Sequence, residues 1–196
     1  MRLHILSDLH LEADPSFRLT PTDADVLVLA GDIANGIDGL RAFADCGKPV
    51  LYVPGNHEYY DTRLESAHAA LCSYAAQTGI VLLDRVEVRI DGVRFLGATL
   101  WTDFRLDGDE TFERSLERSR KYNPDFRAIR CGDDGRLLAP EDTIAFHERD
   151  RNWLAARLAE PFEGATVVIT HHAPHPGSVH ARWYHSPANP AFATHL

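Results

Sequence analysis

A chain of 196 residues with 44% apolar and 25% charged side chains has the make-up of an ordinary globular protein, sized for one domain over residues 1–196, and disordered and fibrous classes are excluded. Lys and Arg number 20 against 29 Asp and Glu, a formal charge of −9, and no basic run occurs, which argues against an extended nucleic-acid groove held by phosphate contacts. An acidic chain that binds a small anion needs a local positive charge, and 11 histidines point to metal as that charge.

Leu3 to Leu6 is a short apolar run between polar residues, the form of a buried strand. Asp25 to Ala30 is a stronger strand, almost wholly apolar and closed by Gly31-Asp32, and Val50 to Val53 repeats the pattern before Pro54-Gly55. Continuous apolar strands imply burial on both faces, as in a sheet covered by helices. Ile37, Leu40, Phe43 and Ala44 fall at helical spacing, with Gly47 as a stop. Thr62-Arg63-Leu64-Glu65 has the form of a capping box, and Leu64, Ala67, Leu71 and Tyr74 continue one helical face to Gly79.

After the apolar run Ile80 to Leu83, Val86, Val88 and Ile90 alternate with Glu87 and Arg89, and Asp91-Gly92 separates them from Val93 to Leu96. That is a hairpin signal and opens a second, antiparallel sheet region. Residues 102–139 read as a mobile, irregular charged insertion with a short helix near Arg114 to Lys121, and Glu110 to Lys121 reads as a solvated face, with a lid as the lesser reading. Pro140 opens a helix through Ile144, His147, Trp153, Leu154 and Leu158, in which His147, between charged neighbours, is expected to face solvent. Ala165 to Thr170 is the last strand, and the proline-bearing tail 173–196 is expected to be mostly loop. Cys46, Cys72 and Cys131 form no Cys-x-x-Cys pair, so neither a disulfide framework nor a zinc ribbon is expected. The first apolar run is too short for a signal peptide and no stretch is long enough for a membrane helix, which together point to the cytoplasm and to no membrane partner.

The informative residues stand at the strand ends. Asp8-Leu9-His10 closes the first strand, Gly31-Asp32 the second, Gly55-Asn56-His57-Glu58 the third and His171-His172 the last. In open α/β sheets ligands bind outside the carboxyl ends of the strands, so Asp8, His10, Asp32, Asn56, His57 and His171 converge on one edge. Asp8 and His10, two apart, point the same way on an extended chain. The set is nitrogen and oxygen with no sulfur, which suits Mn, Fe, Zn or a similar ion. Two ions about 3.5–4 Å apart require a shared carboxylate, and Asp32 is the natural bridge, since the other ligands lie either side of it in sequence.

Together, Asp8-x-His10, Gly31-Asp32, Gly55-Asn56-His57-Glu58 and the strand-terminal His171, with Asp8, Asp32 and Asn56 spaced evenly at 24 residues, resemble the calcineurin-like metallophosphoesterase family over residues 3–172. The resemblance implies an α/β fold of two facing mixed β-sheets flanked by helices, shortened at the C-terminus. It implies two divalent metal ions, with Asp8 and His10 on the first, Asn56 and His171 on the second, and Asp32 bridging. His57 would stand over the substrate as acid or phosphate ligand, with Asn56 and His172 as further substrate contacts. The activity implied is hydrolysis of a small phosphate ester, monoester or diester, by water activated between the ions; the alternative is a metal-binding or interaction module of the same fold with impaired catalysis. The family's last motif, Gly-His-x-His, is not found, because no glycine here precedes a histidine. His175, His180, His185 and His195 are the substitutes on offer, and His195 leaves open a site shared across a homo-oligomer. No Gly-x-Gly-x-x-Gly follows the first strand, so a dinucleotide-binding fold is not supported.

Overall fold

Val26–Ala30 is apolar at every position, and the structure, a computed structural model describing residues 1–196, buries all five. This strand, β2, is the second of a parallel sheet ordered β1 (Leu3–Leu6), β2, β3 (Val50–Val53) and β4 (Val81–Leu82). Its two faces serve two cores, because successive side chains on a strand point to opposite sides. Leu27, Leu29 and Tyr52 pack with Leu40 and Phe43 of α1 (Asp38–Phe43) and Leu71 and Ala75 of α2 (Leu64–Thr78). Val26, Val28, Leu51 and Val53 pack instead with Phe95 and Ile169 of a second sheet. Each buried Val, Leu or Phe contributes about 1.5–3 kcal/mol, so this double core makes β2 and β3 the rigid frame of the site.

The second sheet is ordered β5 (Val86–Ile90), β6 (Val93–Ala98) and β9 (Thr166–Thr170). The expected hairpin forms, with Asp91 and Gly92 at φ 46° and 76° as a two-residue turn requires. The sheet is mixed rather than antiparallel, because β9 joins β6 in parallel. The helix α5 (Pro140–Ala159) separates the two in sequence, the long crossover that a parallel pair needs. The first sheet is wholly parallel.

Several expectations are corrected. β1 is an edge strand, and Ile5, paired with Val28, stays 61% exposed because the second sheet does not reach over it. The capping box at Thr62 does not form: the α2 N-cap has no side-chain bond, and the Glu65 carboxylate accepts the Gly132 N–H at 2.9 Å. His147 is buried rather than solvated, with Nδ1 3.0 Å from the Leu100 carbonyl. Its helix packs through Pro140, Thr143, His147, Asp150 and Leu154, a partly polar face that an apolar pattern does not reveal. The segment 102–139 is ordered, with helices α3 (Phe112–Tyr122) and α4 (Asp125–Ala128) and a small hairpin of β7 (Arg130–Cys131) and β8 (Arg136–Leu137). All three cysteines are free thiols. No helix is long and apolar enough to cross a membrane.

Candidate metal centre

The parallel ladder continues past the strand ends as loop contacts. Asp8 N donates to Gly31 O at 3.0 Å, and His10 N to Asp32 O at 3.1 Å, so the two loops run side by side. Asp8, His10 and Asp32 take left-handed φ of 54°, 46° and 52°. Such backbone costs about 1–3 kcal/mol per residue, and it turns three potential ligands outward where the strands stop. The chain is not extended here, so the two-residue alternation does not apply to Asp8 and His10.

Two groups of ligand atoms result, His10 with Asp32 and His57, and Asp8 with Asp32 and His171, each spanning no more than 4.8 Å. Asp32 belongs to both. Its Oδ2 lies 3.9 Å from Nε2 of His10 and of His57, and its Oδ1 lies 3.4 Å from Nε2 of His171. Asn56 stands beside the second group, with Oδ1 3.1 Å from His171 Nε2. Asp8 is exposed and Asp32 is buried, so the shared carboxylate lies beneath an open face.

The donor set fits divalent ions. His171 Nδ1 lies 3.0 Å from the Ala30 carbonyl and carries the proton there, which leaves a lone pair on Nε2. Asn56 Nδ2 donates to Asp125 at 2.9 Å, which leaves Oδ1 as an acceptor. Two acceptors facing each other repel unless a cation sits against both. Two glycines make the approach possible: a Cβ on Gly31 would lie 2.4 Å from the His171 ring, and one on Gly55 would lie 2.1 Å from Asp32 Oδ1.

The family profile described as calcineurin-like phosphoesterase matches residues 1–192. The chain belongs to this family. The phosphoesterase-family chain is 26% identical over 199 residues to uncharacterized protein L509 of Acanthamoeba polyphaga mimivirus, covering 88% of this chain and 68% of that one. Its fold is shared by the phosphopantetheinyl hydrolase PptH from Mycobacterium tuberculosis, with a TM-score of 0.66, 21% identity, and coverage of 98% of this chain and 75% of that one.

Three carboxylates that sequence reasoning did not assign hold the candidate ligands in place. Glu12 lies 2.9 Å from His57 Nδ1 and 3.2 Å from His10 Nδ1, and so holds both rings with Nε2 toward Asp32. Burial works to raise the Glu12 carboxyl, and hydrogen bonds from its own N–H, His57 and His10 outweigh it and hold the carboxyl below its ordinary value. Glu58 is fully buried and accepts from Asp32 N, Ile33 N, Tyr52 Oη and Gly55 N at 3.2, 3.0, 2.6 and 2.8 Å. It thereby ties the Asp32 turn to the Gly55-Asn56 turn. Burial pushes its carboxyl up and the Asp32 charge adds to this, while hydrogen bonds from the Tyr52 hydroxyl and the Ile33 N–H pull the other way. Asp125, the third, holds Asn56. Glu12 falls two residues after His10 and Glu58 closes the Gly-Asn-His-Glu run, so both had a local signal. Asp125 had none.

His172, expected to touch substrate, is turned into the core. It is 4% exposed, stacks on Trp101 at 5.4 Å, and has Nδ1 3.3 Å from the Thr99 carbonyl. Burial pushes its imidazole well below the ordinary value. Trp101 is likewise a packing residue, against Tyr59 and Phe146. His175, His180, His185 and His195 join neither ligand group; His175 and His195 pack edge to face, and His180 accepts from Arg182 N.

Proposed function

We propose that this protein hydrolyses a small phosphate ester with two divalent ions, of the Mn, Fe or Zn type, sharing Asp32. The observation that carries this reading is the Asp32 carboxylate, whose two oxygens face separate histidine sets. His10 and Asp32 would hold one ion, with His57 beside them left free to act on substrate; Asp8, Asp32, His171 and Asn56 would hold the other. Bound ions would supply the charge that gathers an anionic phosphate onto an acidic chain and acidifies water at the site. The chain's own share is orientation. Glu12 fixes two imidazoles, Glu58 fixes the two turns, and the strand-end backbone fixes Asp8 and Asp32.

His57 is the best-placed proton donor. Its ring stacks on Tyr60 at 4.1 Å and its side chain stays about a quarter open to solvent, where a departing alkoxide would meet it. The loss from His57→Ala should be about 10²–10⁴-fold for an alkyl phosphate and far smaller for a nitrophenyl phosphate, whose leaving group needs no proton. Steady-state rates on the two substrates check this; equal losses assign His57 to ion or phosphate binding instead.

The competing reading, a metal-binding module without turnover, is favoured by the absence of further histidines from either ligand group. Mn²⁺-dependent release of nitrophenol from a nitrophenyl phosphate, abolished by chelation and restored by the ion, supports hydrolysis. Ion binding without any release supports the module.

A further inference from the structure

The geometry points to Asp125 as the positioning residue that sets the Asn56 amide with its oxygen toward the second ligand group. The inference rests on the dinuclear reading above and extends it to a segment outside the strand-end motifs.

A side-chain amide can turn over and exchange its oxygen and nitrogen with little change of shape. Only the oxygen serves as a metal ligand, so Asn56 needs a neighbour that distinguishes the two ends. Asp125 Oδ1 accepts from Asn56 Nδ2 at 2.9 Å, and a carboxylate accepts but does not donate. The nitrogen is therefore held on the Asp125 side, and Oδ1 is left 3.1 Å from His171 Nε2. Asp125 is itself fixed. The Tyr60 hydroxyl donates to Oδ1 at 2.7 Å, Asn123 Nδ2 donates to Oδ2 at 3.1 Å, and Asp125 N donates to Asn123 Oδ1 at 3.0 Å. The carboxylate is 3% exposed, so water does not replace these partners.

The segment that carries it is stitched to the loop that carries Asn56. Asp61 N donates to Ala128 O at 2.9 Å and Arg130 N to Thr62 O at 3.0 Å. Phe126 and Ile129 sit in the main core. The stretch around Asp125 is thus a fixed wall of the site and not a lid.

The test is Mn²⁺ titration calorimetry on chelated protein, with thermal unfolding in chelator as a separate readout of structure. Asp125→Asn keeps the shape and lets position 125 donate, so the Asn56 amide loses its preferred sense. The weaker Mn²⁺ site should then bind about 10–100-fold less tightly, the usual scale for losing an outer partner. The double variant Asn56→Asp with Asp125→Asn exchanges carboxylate and amide across the same hydrogen bond and should restore that affinity to the wild-type value or better. A merely structural Asp125 would lower the melting temperature and leave ion affinity in place. Unchanged affinity in folded Asp125→Asn overturns the inference while leaving the dinuclear reading intact. Should the single variant not fold, the double variant decides: affinity at or above wild type supports the role, and a folded protein with weakened binding overturns it. Failure of wild-type protein to take up Mn²⁺ overturns the dinuclear reading and this inference with it.

Discussion

Asp32→Asn is expected to abolish turnover and to reduce ion stoichiometry from two to at most one. The change keeps shape and removes charge. The His57 backbone N–H donates to Asp32 Oδ1 at 2.9 Å, so the amide that replaces the carboxylate will keep its oxygen there. Its nitrogen must then occupy the Oδ2 position, 3.9 Å from Nε2 of both His10 and His57. A donor replaces an anionic acceptor beside the His10 ligand nitrogen, and that group loses its ion first. The Asp8 and His171 group keeps an oxygen but loses a charge. Turnover should fall by more than about 10³-fold, at or beyond the loss of one fixed electrostatic stabiliser. Equilibrium dialysis against Mn²⁺, paired with nitrophenyl phosphate assays, measures both effects. Two retained ions with near-normal turnover would remove Asp32 from the bridging role.

Glu58→Gln is expected to destabilise the protein by about 1–3 kcal/mol, because buried donors without acceptors are penalised heavily. Four donors converge on this carboxylate, two on each oxygen. The Tyr52 hydroxyl can reverse and accept from an amide nitrogen. The backbone N–H groups of Asp32, Ile33 and Gly55 cannot, so at least one is stranded. Ion affinity should fall with stability, by about 10–100-fold, since the turns Glu58 joins carry Asp32 and Asn56. Urea unfolding in chelator reads the first effect and Mn²⁺ titration the second. Wild-type values in both would mean that the two turns hold their geometry without this clamp.

The strand ends were legible because burial leaves a simple mark. Val26 to Ala30 and Val50 to Val53 are apolar without a break, and the polar residues next in the chain must lie at the rim. His171 and His172 show where legibility stops. Successive side chains at a strand end point opposite ways, and which one meets Asp32 depends on how β9 is registered against β6, a long-range pairing. Left-handed φ at both Asp8 and His10 breaks the two-residue alternation of an extended chain, a local feature that apolar patterning does not mark. Asp150 and His147 were hidden for another. Asp150 Oδ2 accepts the Leu100 N–H at 3.0 Å, His147 stands 3.0 Å from the Leu100 carbonyl, and Arg85 Nη1 pairs with Asp150 Oδ1 at 2.8 Å. Leu100 and Trp101 take φ of 75° and 46°, so this polar clamp holds a strained turn that no periodicity announces. Asp125 lies 69 residues from Asn56, and nothing in the charged stretch around it distinguishes a buried acid from a solvated one.

The most direct measurement of the central claim is anomalous diffraction from crystals of the protein soaked in Mn²⁺. The account predicts two peaks about 3.5–4 Å apart, one against His10 and Asp32, with His57 beside it, and one against Asp8, Asp32, Asn56 and His171. A single peak, or peaks that leave the Asp32 carboxylate outside the coordination of either ion, would contradict it.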